Sequence, residues 1–251
     1  MFLEKYKKNI YSQNGEDGII RELLKRTGLN KSKNKWCCEF GAWDGKHGSN
    51  TYNLLEKNNF KAVYIEGDKL RFEKLKELSL KFRDLFTFNE YVSHKNNSNN
   101  KLDKILSKTK IKKNFEVLSI DIDSYDLDVW ETLKLYSPEI VVIEINSGLK
   151  PGIYQKHSKI RSGNSFSSTL IVAKKKGYIL IAHTGNCIFI KKKYLKKIKF
   201  PIKFISNPNQ LFDWSWILKQ ENWVKKYLKI LLPNFLIENL RNLKIFFFRQ
   251  F

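Results

Sequence analysis

Long apolar runs are missing from this 251-residue sequence, and none reaches the roughly eighteen residues that a membrane-crossing helix needs. The opening residues, MFLEKYKKNIYSQNGED, lack the charged-then-apolar layout of a secretory signal, so no export is expected. Cysteine is scarce too. The three present include the adjacent pair Cys37 and Cys38, which fits neither a disulfide framework nor a zinc spacing, and a reducing cytoplasm is the expected compartment. Acidic residues are few as well, 25 Asp and Glu against 47 Lys and Arg, which leaves a formal charge of +22. Such an excess serves nucleic acid, an anionic membrane face or an anionic small molecule. Lys far outnumbers Arg, the residue that bidentate phosphate and base recognition favours, so nucleic acid ranks last of these. Stretches such as SHKNNSNNKLDK show that part of the excess is compositional.

What remains is the composition of a soluble folded chain, 42% hydrophobic and 29% charged, long enough for one large domain or a domain with an appendage. Helical and strand-like stretches alternate along it. DGIIRELLKRT at 17–27 has helical spacing and Gly28 as its stop. WCCEF reads as a strand, followed by a glycine loop, a helix around 50–58 and the strand AVYIE. A helix over 69–83, the strand LFTFNEYV, a polar loop and the helix LDKILSK come next. The strand FEVLSIDID, the helix LDVWETLKLY and the strand EIVVIEIN continue the pattern. Residues 147–164 are too long and too polar for an ordinary connection. The helix SSTLIVAKKKG then leads into a hairpin, YILIAHT and CIFIKKKY joined by a Gly-Asn turn. This order predicts an α/β fold, a mostly parallel sheet with a terminal antiparallel hairpin. Residues 1–200 form the expected domain, and 201–251 an aromatic, basic appendage of amphipathic helices split by Pro233. That appendage would cover a sheet edge, make a homodimer contact or lie on an anionic membrane.

In an open parallel sheet, ligands bind beyond the carboxyl ends of the strands. Here those ends carry Glu39 with Gly41 and Gly45, then Glu66-Gly67-Asp68, Tyr91-Val92-Ser93, Asp121 with Asp123, and Glu144 with Asn146. An acid ending the second strand accepts hydrogen bonds from both ribose hydroxyls, and the preceding glycine loop admits close main-chain approach. A nucleoside cofactor is the expected ligand. The loop spacing, E-x-G-x-x-x-G-x-x-G-S-N, breaks the G-x-G-x-x-G pattern of dinucleotide sites, and Glu39 is a poor neighbour for pyrophosphate. It suits an amine or sulfonium, which favours S-adenosylmethionine over NAD.

The motifs YSQNGEDGII (11–20), CCEFGAWDGKHGSNT (37–51), VYIEGD (63–68), LSIDIDSYDLDVW (118–130) and VVIEIN (141–146) together resemble the FkbM-type branch of class I S-adenosylmethionine-dependent methyltransferases. The resemblance implies a Rossmann-like sheet of seven strands with the last antiparallel, and methyl transfer, commonly to a hydroxyl of a sugar or natural product. It implies that Glu39, Gly41 and Gly45 shape the methionine end of the pocket, with Ser49 and Asn50 extending it. Glu66 would hold the ribose, Gly67, Asp68, Val92 and Ser93 would sit near adenine, and Asp121 near the donor's amino group. Gln13 and Asp17 would belong to a segment folding over the donor, or else form a turn and helix cap.

Methyl transfer to a hydroxyl needs an aligned acceptor and a base. Candidates are Asp123, Glu144, His157 and His183, with Tyr125 and Tyr154 orienting the acceptor. Asp121, Asp123 and Glu144 also make an oxygen-rich set for Mg²⁺ or Mn²⁺. The segment PGIYQKHSKIRSGNS, with Lys156, Lys159 and Arg161, reads as a basic lid for an anionic or nucleotide- or sugar-linked acceptor, such as a precursor of a bacterial surface glycan or capsule polysaccharide. The competing readings are an NAD-dependent oxidoreductase and a non-catalytic, basic membrane- or nucleic-acid-binding module.

Overall fold

The computed structural model describes residues 2–219. The chain forms two compact units, Met1–Asp213 and Trp214–Phe251. Only residues 214–219 of the second are among those described, so the expected helices around Pro233 lie outside the described residues. Segment 201–213, expected to open the appendage, belongs to the first unit.

That unit is a seven-stranded sheet flanked by helices. In chain order it comprises α1 (Glu16–Thr27), β1 (Trp36–Phe40), α2 (Tyr52–Asn58), β2 (Lys61–Glu66), α3 (Lys69–Ser79), β3 (Leu85–Asn89), α4 (Leu102–Ser107), β4 (Val117–Ile120), α5 (Asp126–Thr132), β5 (Ile140–Glu144), α6 (Phe166–Lys175), β6 (Tyr178–His183), β7 (Asn186–Lys191) and α7 (Ile202–Ser206). The strands are ordered β3-β2-β1-β4-β5-β7-β6. β1 to β5 pair in parallel, and β7 runs antiparallel to both β5 and β6. β1, β4 and the apolar part of β5 are buried along their length, as expected of strands covered on both faces.

Register turns this topology into a site. Phe40 pairs with Ile65 on one side and Ile120 on the other, and Ile120 pairs with Ile143. The next residue along each strand is Gly41, Glu66, Asp121 or Glu144. These four therefore make one row at the carboxyl edge. The strand order reverses between β1 and β4, the position where open α/β sheets leave a crevice.

Several elements stop short of the sequence expectation. β3 ends at Asn89, leaving Tyr91, Val92 and Ser93 in a loop. β4 ends at Ile120 because the Asp126 carboxylate accepts from the Ile122 and Ser124 N–H groups at 2.8 and 2.9 Å, folding the chain back ahead of α5. α3 ends at Ser79, and the hairpin turn is Thr184-Gly185, with Asn186 already in β7.

Candidate active site

A cavity of about 630 Å³ opens over the row of strand ends. Its walls include Gln13, Glu39, Gly41, Ser49, Glu66, Gly67, Asp68, Val92, Asp121, Asp123 and Glu144 from the sequence-derived set. Asp17, Gly45, Asn50, Ser93, His157 and His183 are not on its wall.

The β1 loop is built on Glu39, which is 4% exposed. One oxygen accepts from the Ser49 and Thr51 hydroxyls at 2.5 and 2.6 Å, the other from Asn50 N–H at 3.0 Å. Burial pushes its pKa up while these donors oppose the shift. Asn50 acts from behind the wall, its amide donating to Ser119 Oγ at 3.1 Å. Gly41 takes φ +75°, and a β-carbon there would lie 1.5 Å from the Asp121 carbonyl oxygen. β1 and β4 leave the sheet in backbone contact, which only glycine permits. Gly45 serves packing, since a β-carbon would meet Leu75 and Leu78 of α3 at 2.7 Å.

Glu66, 6% exposed, accepts Trp43 N–H at 2.7 Å on one oxygen and Asp68 N–H at 2.8 Å on the other. Each oxygen has accepted one hydrogen bond and can accept another, and Glu66 lines the cavity. Asp68 caps α3 by accepting Arg71 N–H at 2.9 Å, and the Arg71 guanidinium lies over the Trp43 ring at 5.2 Å. Sequence reasoning gave no role to four wall residues here: Trp43, Arg71, Glu90 and Tyr91, the last read only as part of a strand end. The available signal was Gly67, where a β-carbon would lie 2.4 Å from the Tyr91 ring.

At the other end, Asp121 and Glu144 share a hydrogen bond. Burial, then the charges of Asp126, Asp123 and Glu39, pushes the Asp121 pKa up while the hydrogen bond from Glu144 opposes. Burial, then the charges of Asp121, Asp123 and Asp126, pushes the Glu144 pKa up. Asp123 stands beside them, exposed, at φ +56°. One oxygen from each of the three lies within 4.8 Å of the others.

The N-terminal segment is a strap. Asp17 accepts three main-chain N–H groups on one oxygen, from Ile10, Tyr11 and Ser12 at 2.9, 2.8 and 2.7 Å. Glu16 accepts Asn14 N–H at 2.8 Å and the Thr184 hydroxyl at 2.6 Å, while Tyr11 donates to Glu56 of α2 at 2.6 Å. Anchored at both ends, the strap brings Gln13 onto the cavity wall against Gly48. Asp17 thus shapes the strap rather than reaching the cavity.

Neither histidine expected as a base is placed for it. His157 accepts Gly163 N–H on Nδ1 at 3.2 Å, which puts its neutral-state proton on Nε2 and makes that nitrogen a donor. Its ring packs at 4.7 Å from Tyr125, which stacks on His94 at 4.1 Å. His183 is fully buried. Its Nδ1 accepts Asp213 N–H at 2.9 Å, and Nε2 donates to Ser147 Oγ, whose own proton goes to Gly185 O at 2.7 Å. Phe212 covers the ring at 4.6 Å. Burial pushes the His183 pKa down to about 4, with Lys7 acting the same way and Asp213 opposing. A folded pKa below the unfolded value of about 6.5 gives stability that is full above that value and lost as pH falls through about 4. The expected loss is on the order of 3 kcal/mol. Urea denaturation between pH 7 and pH 4 should show a shallower acid decline for His183→Gln than for the parent chain; matching slopes would contradict this assignment.

No family model matches the chain, and no curated protein matches it. Among solved structures it is similar to M. capricolum TrmK with S-adenosyl-homocysteine bound, at 16% identity over 88% of this chain and 91% of that one, TM-score 0.46. A putative caffeoyl-CoA O-methyltransferase from Staphylococcus aureus matches at 15% identity over 76% and 88%, TM-score 0.44. The N-methyltransferase NodS from Bradyrhizobium japonicum WM9 matches at 7% over 68% and 92%, TM-score 0.39. Likeness at this level carries no chemistry, and the fold assignment rests on the strand order itself. The fold is Rossmann-like, a seven-stranded sheet whose one antiparallel strand is β7.

Proposed function

We propose that this chain is an S-adenosylmethionine-dependent methyltransferase acting on a hydroxyl of a small, sugar-linked acceptor. One observation carries the donor assignment. In a chain of net charge +22, seven acidic side chains (Glu39, Glu66, Asp68, Glu90, Asp121, Asp123 and Glu144) line the cavity, with Arg71 as the one Lys or Arg among its lining residues. A proton shared by Asp121 and Glu144 still leaves the acids well in excess. A pyrophosphate would enter that field against repulsion, whereas a sulfonium and an ammonium enter it with attraction. S-adenosylmethionine has both cations, a ribose for Glu66 and no phosphate.

When bound, S-adenosylmethionine would supply a sulfonium-activated methyl group to the acceptor oxygen and leave as S-adenosylhomocysteine, with Glu66 holding its ribose and the acids of the β1 and β4 ends facing its cationic end. The acceptor proton passes to Asp123, the exposed carboxylate of the trio, while Asp121 and Glu144 stay hydrogen-bonded to one another behind it. An anionic acceptor, such as a surface-glycan or capsule precursor, would need that negative charge offset. The close oxygens of Asp121, Asp123 and Glu144 favour a second reading in which they hold Mg²⁺ or Mn²⁺, hard cations suited to an all-oxygen set. Such an ion would supply that charge.

Calorimetric titration tests both parts. S-adenosylhomocysteine is expected to bind with micromolar affinity, about −8 kcal/mol, and NADH not at all. The opposite pattern from a folded sample would refute the donor assignment. Absence of Mn²⁺ binding, followed by electron paramagnetic resonance with donor product present, would remove the metal.

A further inference from the structure

The long connection between β5 and α6 is not a floppy lid. Residues 155–165 form a short hairpin-like finger. Gln155 and Ser165 bond through Gln155 N–H to Ser165 Oγ and Ser165 N–H to Gln155 O, both at 2.9 Å. Ser158 and Arg161 exchange main-chain hydrogen bonds at 2.9 and 3.2 Å. Between them Gly163 N–H reaches His157, and His157 N–H reaches Asn164 Oδ1 at 3.1 Å. Lys156, expected to meet the acceptor, is instead spent on Asp128 and Glu131 of α5. The root is fixed by Asn146, whose N–H donates to Asn164 O at 2.8 Å, two residues past the cavity-lining Glu144.

This braced finger ends in Lys159-Ile160. Ile160 is 89% exposed, and Tyr154 lower on the same connection is 67% exposed. Lys159 and Arg161 flank the isoleucine, both exposed, and neither enters an ion pair among the described residues. A braced turn that holds an isoleucine out between two cations is poorly matched to water. It is well matched to a surface that is negative outside and apolar beneath.

We propose that the finger docks on an anionic lipid bilayer, with Ile160 entering the acyl boundary and Lys159 and Arg161 meeting headgroup phosphates. Charge complementarity selects this occupant. A nucleic acid would use Tyr154 and the two cations and leave Ile160 in water, whereas a bilayer takes up Ile160 as well. A protein partner would need about 800 Å² of contact, which a two-residue tip does not supply. The docking stands independently of the methyl-transfer reading.

Flotation of the full chain with vesicles of equal parts phosphatidylcholine and phosphatidylglycerol, against phosphatidylcholine alone, tests it. The parent chain is expected to float with the anionic vesicles and to be released by salt. Ile160→Asp should weaken this binding roughly tenfold or more, from one lost apolar side chain and one added negative charge. Lys159→Glu with Arg161→Glu should abolish the preference for phosphatidylglycerol. Thermal unfolding and S-adenosylhomocysteine titration of Ile160→Asp, both expected unchanged, keep folding and donor binding separate from docking. Unaltered flotation of a folded Ile160→Asp chain overturns the proposal, as does absence of vesicle binding by the parent. Binding to single-stranded RNA that displaces vesicles and ignores Ile160→Asp overturns it as well.

Discussion

Glu66→Ala is expected to lower S-adenosylhomocysteine affinity by roughly a hundredfold or more, the size of two charge-assisted hydrogen bonds at about 1.5–3 kcal/mol each. The carboxylate does two jobs at once. It fixes Trp43 N–H and Asp68 N–H, and under the proposed function its remaining acceptor positions take the ribose hydroxyls. Alanine removes the acceptors and leaves both N–H groups without them, so the wall moves as well as the ligand. Glu66→Gln is the milder step. It keeps the shape and one oxygen but turns an amide NH₂ towards one of the two N–H donors, so about a tenfold loss is expected together with a modest fall in unfolding temperature. Isothermal calorimetry on the three chains decides. Equal affinities would mean that nothing with a ribose binds there.

Gly41→Ala is expected to be the most damaging single-methyl change in the sheet. The added carbon would sit 1.5 Å from the Asp121 carbonyl oxygen, a contact with backbone on a central strand. The φ of +75° adds the left-handed penalty, about 1–2 kcal/mol for a side-chain-bearing residue. A total of about 4 kcal/mol or more follows from strain and clash together, a fall in unfolding temperature of roughly 8–16 °C for a chain of this length. Gly152→Ala is the internal control. It has φ +95° with nothing within 4 Å of the added carbon, so it reports backbone strain alone. Differential scanning fluorimetry should place the two variants well apart. Overlapping transitions would show that β1 and β4 separate without cost.

The parts of this site legible in the sequence were those governed by period and register. WCCEF, AVYIE and VVIE are short, apolar and bounded, so their ends, and the acids on them, follow from strand periodicity. Parallel register then carries Glu66, Asp121 and Glu144 into one row. Trp43 was not legible because it depends on loop backbone, and at φ +50° it follows no period. Tyr91 was read as a strand end, but β3 stops at Asn89. Arg71 sits in the first turn of α3, and its place on the wall depends on its guanidinium lying over the Trp43 ring. His183 misled for a topological reason. It ends a strand, as the wall acids do, but β6 is the sheet's far edge strand, separated from β5 by β7, and Phe212 lies over its ring. Lys156 misled because its partners, Asp128 and Glu131, sit on α5, 28 and 25 positions away.

The strap has a temporal meaning. Glu16 closes on Thr184, a separation of 168 residues, and Gln13 reaches the cavity through that closure. Contacts so distant along the chain form after local ones, because loop closure precedes their reward. On the ribosome, the acids of the β1, β2 and β4 ends emerge well before Thr184 does. The newborn chain therefore holds nearly every wall residue, and the Tyr11–Glu56 anchor of the strap, before the closing hairpin can supply the Glu16–Thr184 latch.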